Sequence, residues 1–210
     1  MNVEKRKLPQ RSLPQGLAGR ITLWFMQKEH KSVYKNMVKA LDLQPEDDLL
    51  EVACGSGHFL KKYASHAHSV AGLELSEVAV KLATKKNKER IAAGTAEIVQ
   101  GEASQLPWED NRFSVATAMG SFSIFPKPVE SLKEMYRVLR PRGRVAIGLE
   151  HNAEDGLDHT KYAEKYAMRV YTEDEVRAML KEAGFSHISI TYAKGFTMPK
   201  MMMARAVRSV

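Results

Sequence analysis

The sequence has 210 residues, of which 44% are apolar and 27% charged, and its formal net charge is +7. The length fits one medium-sized domain, and the composition excludes a disordered or fibrous chain. A single cysteine excludes an internal disulfide framework, and no apolar run reaches the length of a secretion signal or a membrane-spanning helix. We therefore expect a soluble cytoplasmic protein with no transmembrane segment.

The first elements in chain order are a helix and then a series of strands. Val33, Met37 and Leu41 recur at the spacing of one helical face, which predicts a helix packed against the core. From Asp48 onward, five short apolar runs without strict alternation are typical of strands buried in a sheet that helices cover on both faces. These runs are LLEVAC, SVAGLEL, AEIVQG, FSVATAM and RVAIGLE. Their alternation with helical segments predicts a parallel sheet in a doubly wound α/β domain.

Two later segments carry apolar stripes at helical spacing. The stripes are Leu132, Met135, Tyr136 and Leu139, and Val176, Met179, Leu180 and Ala183. Thr172 and Glu175 are spaced to form a capping box at the start of the second helix, and Gly184 suits a left-handed C-cap at its end. The segments SHISITYAKG and TMPKMMMARAV predict a final pair of strands joined by a glycine-containing turn, with the three methionines filling the core.

The turn that leaves the first strand, EVACGSGHF, is the first candidate for ligand binding. Gly55 and Gly57 leave the backbone bare at the edge of the sheet where doubly wound domains bind ligands. Glu74 ends the second strand, where a carboxylate can accept hydrogen bonds from both hydroxyls of a ribose. Leu75, which follows it, offers an apolar surface to a base. The sequence therefore predicts a nucleoside site.

Two further observations narrow the predicted ligand to an adenosine derivative that carries no phosphate. Glu102 and Ala103 follow the third strand, where a carboxylate can accept from an exocyclic amine and a backbone N–H can donate to a ring nitrogen. The nicotinamide fingerprint requires a third glycine where this chain has Leu60, and no phosphate-binding lysine follows the turn. A pyrophosphate is therefore disfavoured.

Four stretches in the same order and at the same spacing resemble the class I S-adenosylmethionine-dependent methyltransferases. They are LLEVACGSGHF, VAGLELSEVAVKLA, GEASQLPWEDNRFSVA and SLKEMYRVLRPRGRVAI. The group includes the ubiquinone and menaquinone biosynthesis C-methyltransferases. The resemblance implies a Rossmann-like, mostly parallel seven-stranded sheet with an antiparallel last strand and helices on both faces. PQGLAGRITLWFM resembles the N-terminal helical extension that covers the active site in part of this group.

This resemblance implies S-adenosylmethionine as cofactor, S-adenosylhomocysteine as its product, and a set of cofactor-binding residues. The residues around the methionine part are Glu51, Gly55 and Gly57, with Ala53 in the same turn. Glu74 is placed at the ribose, and the adenine is contacted by Leu75, Glu102 and Ala103. Beside the carboxylate and the reacting methyl lie Met119 and Gly120. Ala53 and Arg142 stand where the family usually has glycine. We expect the φ angle of Ala53 to stay negative, with its methyl group directed into the sheet.

Methyl transfer from a sulfonium is an in-line displacement that chiefly requires alignment and exclusion of water. If the acceptor must lose a proton, His151 and Glu150 are the candidate catalytic residues, because they follow the fifth strand at the crevice. A solvent-facing loop position is the competing interpretation of His151. Five aromatic residues are candidates for an acceptor pocket or for packing, namely Trp24, Phe122, Phe125, Tyr162 and Tyr166.

The favoured acceptor is a small molecule, and two other functions stay open. The run KLATKKNKERIA carries five cations against one acid, which suits either a solvated helix face or a nucleic-acid (RNA) methyltransferase. The latter lacks the expected N-P-P-Y-like tetrad and has GSFS in its place. A nicotinamide-dependent oxidoreductase is the other alternative. Cys54 is predicted to be inert packing, and His66 and His68 lack further metal-ligand spacing, so no metal is expected.

We expect one methyltransferase domain over residues 1–210. Within it, residues 1–46 are predicted to form a helical cap, 47–150 the cofactor-binding core, and 151–210 the rest of the sheet and a segment on the substrate side.

Overall fold

The computed structural model describes residues 13–194 and 198–210. Eight α-helices lie within these ranges: α1 Gly16–Glu29, α2 Lys31–Leu41, α3 His58–Lys62, α4 Glu77–Lys86, α5 Lys88–Ala92, α6 Pro128–Val138, α7 Thr160–Tyr166 and α8 Glu173–Glu182. Seven β-strands lie within the same ranges: β1 Asp48–Val52, β2 Ser69–Glu74, β3 Ala96–Gln100, β4 Phe113–Met119, β5 Leu139–Leu149, β6 Phe185–Ala193 and β7 Met201–Arg208. The first twelve residues of the predicted cap and Gly195 of the predicted last turn fall outside the described parts.

The strands form a single sheet in the order β3-β2-β1-β4-β5-β7-β6. The first five strands run parallel to one another, and β7 runs antiparallel to both β5 and β6. This confirms the predicted doubly wound, mostly parallel sheet with an antiparallel last strand. The strand order reverses between β1 and β4, so their carboxyl ends open a crevice at the topological switch point, where doubly wound sheets bind their ligands.

Two apolar clusters, one on each face, fix the sheet. Every residue of β1 is buried, and the strand contributes Leu50 to one cluster and Leu49 to the other. Helix α2 adds Val33, Met37 and Leu41 to the second cluster, as its spacing predicts. The three methionines of β7 are also buried, which confirms that they fill the core. Burial on both faces holds the strand ends, and hence the crevice, in a fixed arrangement.

The predicted end signals of α8 are confirmed. Thr172 Oγ1 accepts a hydrogen bond from the backbone N–H of Glu175, and the carboxylate of Glu175 accepts one from the backbone N–H of Thr172. Gly184 follows the helix with a φ of +99°. These local contacts satisfy polar groups that the helix itself leaves unpaired.

Two predictions were wrong in detail, one about the burial of a strand and one about where a helix ends. The run AEIVQG does form β3, but this strand lies at the edge of the sheet and none of its residues is fully buried. Leu139, predicted as the last member of the α6 stripe, instead begins β5. Just beyond it, Arg142 adopts a φ of +64°. The arginine thus adopts a left-handed conformation, which favours glycine, at a position where the resemblance leads us to expect glycine.

Candidate active site

A cavity opens at the carboxyl ends of β1, β2 and β4, beneath helix α1. It gathers side chains from parts of the sequence that are far apart. Nine of the ten predicted cofactor residues line it: Glu51, Ala53, Gly55, Glu74, Leu75, Glu102, Ala103, Met119 and Gly120. The parallel strands explain this, because they bring the residues that follow each strand to one edge of the sheet.

Glu74 joins the ends of β1 and β2. Its Oε2 accepts a hydrogen bond from the backbone N–H of Gly55 at 2.9 Å, and its Oε1 accepts one from the N–H of Ser76 at 2.8 Å. Burial raises the pKa of Glu74, and these backbone hydrogen bonds oppose the rise. The carboxylate therefore fixes the turn after β1 while it faces the cavity.

Glu51 lines the same cavity and carries an unsatisfied polar atom. The side chain is only 4% exposed, and its Oε2 has no hydrogen-bond partner within the described parts of the chain. Burial, and then the neighbouring Glu74, raise the pKa of Glu51 well above its ordinary value, while Lys86 opposes the rise. A buried carboxylate in this state is stabilised by a cationic hydrogen-bond donor entering the cavity.

The two positions of the turn hold glycine for different structural reasons. Gly55 has a φ of +54°, and a Cβ built there would meet only the side chain of Leu23, at 3.7 Å. At Gly57 (φ +66°), a Cβ would lie 2.6 Å from the Asn87 side chain and 3.1 Å from the Ala83 backbone. Gly57 does not line the cavity, so packing against α4 already requires a glycine there. Its predicted contact with a cofactor stays a prediction.

The prediction that Ala53 keeps a negative φ was wrong. Its φ is +59°, in the left-handed region, although its side chain does pack against the core as expected. Alanine accepts this conformation at a cost of about 1–2 kcal/mol relative to glycine.

We expect Ala53→Gly to raise the free energy of unfolding by up to about 1 kcal/mol, because relief of backbone strain exceeds the added chain entropy. Cofactor affinity should change little. Ala53→Val should lower stability, since a β-branched residue is a clear outlier at positive φ. Urea unfolding and ligand titration of both variants measure these effects. If valine were as stable as alanine, the left-handed assignment would be contradicted.

Polar contacts near both ends hold α1 over the cavity. The Ser76 hydroxyl donates to the carbonyl oxygen of Pro14, just before the helix. Lys86 Nζ donates to Gln27 Oε1 at 2.7 Å and to Ser56 Oγ at 3.0 Å. Burial lowers the pKa of Lys86 to about 8, and Glu51 opposes the shift. Lys86 thus connects α4, the turn after β1 and the covering helix.

The chain matches the family model described as a methyltransferase domain over residues 50–147. It is 32% identical over 121 residues to the demethylmenaquinone methyltransferase of Oceanobacillus iheyensis, covering 56% of this chain and 50% of that enzyme. It is 28% identical over 198 residues to the enzyme of the same name from Staphylococcus carnosus, covering 81% and 79%. The chain therefore spans about half the length of the first relative. These matches support the identification of the chain as a class I S-adenosylmethionine-dependent methyltransferase.

A solved structure of low sequence identity shares the fold of this methyltransferase. It is a Haemonchus contortus phosphoethanolamine N-methyltransferase in complex with S-adenosyl-L-methionine, and it matches with a TM-score of 0.80 at 14% identity. The match covers 98% of this chain and 61% of that one. The match supports the fold predicted from the resemblance.

Neither of the two predicted catalytic residues is among the described residues that line the cavity, but Glu150 contacts one that is. Glu150 follows β5 directly and has Oε2 3.2 Å from Nε2 of His30, which lines the cavity. His151 packs its ring on Tyr162 at 4.1 Å between centroids and lies 3.2 Å, Nδ1 to Nδ1, from His159. Among the described residues, His151 is not part of the cavity lining. His30 was missed by the sequence analysis.

Only some of the aromatic residues predicted for an acceptor pocket line the cavity. Phe125 and Tyr166 line the cavity, whereas Phe122 is buried in the core and Trp24 faces an outer groove of α1. Tyr162 packs behind Tyr166, with ring centroids 4.5 Å apart. Two aromatic rings are therefore placed to contact an acceptor.

Other candidate chemistry finds little support. Cys54 is buried, and burial raises the pKa of its thiol, which disfavours the nucleophilic thiolate. Within residues 13–194 and 198–210, no group of three or more potential ligands is placed to hold a metal ion. No helix in those same ranges has the length and apolarity needed to cross a membrane.

Proposed function

We propose that this methyltransferase binds S-adenosylmethionine in the cavity beneath α1 and methylates a small-molecule acceptor. The observation that carries the proposal is Glu51, which lines the cavity and whose buried Oε2 has no partner among the described residues. An ammonium group would satisfy it. Glu74 and Glu102 line the same cavity and make it acidic, which favours a cationic nucleoside over a dinucleotide bearing phosphates.

Each of the nine predicted cofactor residues in the lining has a proposed role toward the bound cofactor. Glu51, Ala53 and Gly55 would surround its methionine part, Glu74 its ribose, Leu75, Glu102 and Ala103 its adenine, and Met119 and Gly120 its carboxylate and reacting centre. When bound, S-adenosylmethionine supplies an already activated methyl group. The chain itself must hold the acceptor in line and exclude water, and α1 provides the cover that water exclusion requires.

The acceptor side of the cavity favours a small apolar molecule. Phe125, Tyr166, Met26 and Ile124 line the cavity, and such side chains can pack on a ring or a chain. Similarity to enzymes named demethylmenaquinone methyltransferases supports the same class of acceptor.

The alternative of RNA methylation loses part of its basis. The basic run forms two short helices rather than one face, and Lys86 is directed inward at Gln27 and Ser56. Arg90 donates to the carbonyl oxygens of Ala64 and Ala67. These two cations stabilise the fold and are not available to phosphates.

Methyl-labelled S-adenosylmethionine tests the proposal when offered with reduced demethylmenaquinone of short side chain, with other small phenols and amines, and with total RNA. We expect label in a small-molecule product, with Glu109→Gln, an exposed-loop variant, as active as wild type. Label found only in RNA, or a protein that binds the cofactor product yet methylates no small molecule, would overturn the proposed acceptor class.

A further inference from the structure

His30 lies at the junction of α1 and α2, where it closes the cavity on the side of β4 and β5. It is 8% exposed and lines the cavity together with Met119 and Gly120. A Cβ built at Gly120 would lie 3.5 Å from His30 Cε1 and 3.0 Å from Glu150 Oε2. The imidazole therefore lies beside the backbone at which the sequence analysis placed the reacting methyl.

The contact with Glu150 determines which ring nitrogen of His30 carries the proton. Nε2 lies 3.2 Å from Glu150 Oε2, so the negative carboxylate favours the tautomer that carries the proton on Nε2. In the neutral ring, Nδ1 then carries the lone pair. His30 lines the cavity, and no hydrogen bond to Nδ1 is formed within the described parts of the chain.

We propose that His30 is the general base of the methyl transfer and that Glu150 positions it; this inference rests on the proposed function. The proton of the acceptor's X–H group goes to Nδ1 of His30, and the electron pair of that bond forms the new bond to the methyl carbon. The sulfur of bound S-adenosylmethionine keeps the electron pair of the broken carbon–sulfur bond and becomes a neutral thioether. The resulting imidazolium is stabilised by the carboxylate of Glu150.

The neighbouring titratable groups do not compete for this role. Tyr34 also lines the cavity, but burial, followed by the charges of Glu51 and Glu150, raises the pKa of its hydroxyl and disfavours the phenolate. Glu51 lies at the end of β1, the strand whose turn is predicted to surround the methionine part. His151 packs on Tyr162, outside the described lining. Among these groups, His30 combines a neighbouring carboxylate with a ring nitrogen that has no hydrogen-bond partner among the described residues.

Steady-state kinetics and product binding test the proposal with matched substitutions. We expect His30→Gln to lower kcat by roughly 10²–10⁴-fold, the usual contribution of a general base, with unchanged affinity for S-adenosylhomocysteine. His68→Gln, in an exposed loop, serves as the control and should keep the wild-type rate. Added imidazole should restore part of the rate of His30→Ala, an effect that a purely structural role would not produce.

Nitrogen NMR of His30 supplies a readout that does not depend on turnover. We expect the Nε2–H form in wild type, and a mixture of the two neutral forms in Glu150→Ala, whose kcat should fall with little change in KM. Wild-type activity in His30→Gln, or a loss of rate that lost cofactor affinity explains, would overturn the role of His30 and leave the proposed function standing. A wild-type protein that binds S-adenosylhomocysteine but methylates no acceptor would overturn the proposed function and this role with it.

Discussion

Replacing Gly55 by valine should reduce cofactor binding below detection at millimolar ligand. The φ of +54° at this position strains any β-branched residue, and the added methyl groups would fill the space between the turn and Leu23. The backbone N–H of Gly55 also donates to Glu74, so a shift of the turn would displace the carboxylate predicted to hold the ribose. Calorimetric titration with S-adenosylhomocysteine measures the loss directly.

Gly94→Val is the matched control for this substitution. Gly94 has a φ of +71°, but a Cβ built there meets nothing within 4 Å, and the residue lies outside the described cavity lining. Both variants should lose stability by about 1–2 kcal/mol from backbone strain. Only Gly55→Val should lose binding. Equal binding losses in the two variants, or at Ala53→Gly and Gly55→Val, would show that the turn has been wrongly assigned to the cofactor.

Replacing Glu51 by glutamine should have opposite effects on stability and on binding. The substitution removes a buried carboxylate whose Oε2 has no partner in the described structure, so the ligand-free protein should become more stable. The cofactor's ammonium loses a charged acceptor, which is worth about 1.5–3 kcal/mol, so affinity should fall by roughly 10- to 100-fold. Thermal unfolding and calorimetry measure the two effects. The exposed Glu109→Gln should change neither.

The stabilisation by Glu51→Gln should depend on pH with a defined sign. Burial raises the pKa of Glu51 in the folded state, so the folded protein holds this proton more tightly than the unfolded chain does. The favourable contribution of the protonated carboxyl is complete below the ordinary value of 4.5 and is lost as pH rises through the raised pKa. The variant's advantage over wild type should therefore grow as pH increases above 4.5. A variant that is less stable than wild type at neutral pH would contradict this account.

The sequence was sufficient for features that local chemistry determines. Unbroken apolar runs such as that of β1 predicted buried parallel strands because helices cover both faces, and the capping box at Thr172 predicted the start of α8. Nine of the ten residues that the resemblance implied for the cofactor line one cavity, because residues after parallel strands share one edge of the sheet. Their contact with a cofactor stays a prediction.

Other features depended on tertiary geometry that no local pattern reveals. The positive φ of Ala53 is imposed by the packing around the turn, against the preference of alanine itself. The edge position of β3 depends on the strand order, and the inward direction of Lys86 depends on where α1 crosses α4. His30 carries no signal in its own segment, because its partner Glu150 follows β5, far along the chain.

Calorimetric titration of the wild-type protein with S-adenosylhomocysteine, in two buffers of different ionisation enthalpy, tests the central claim most directly. We predict saturable binding at one site, accompanied by release of protons from the wild type and by none from Glu51→Gln, because the ammonium group stabilises the ionised carboxylate. The absence of binding at millimolar ligand, or binding that is identical in wild type and Glu51→Gln, would contradict the assignment of this cavity to the cofactor.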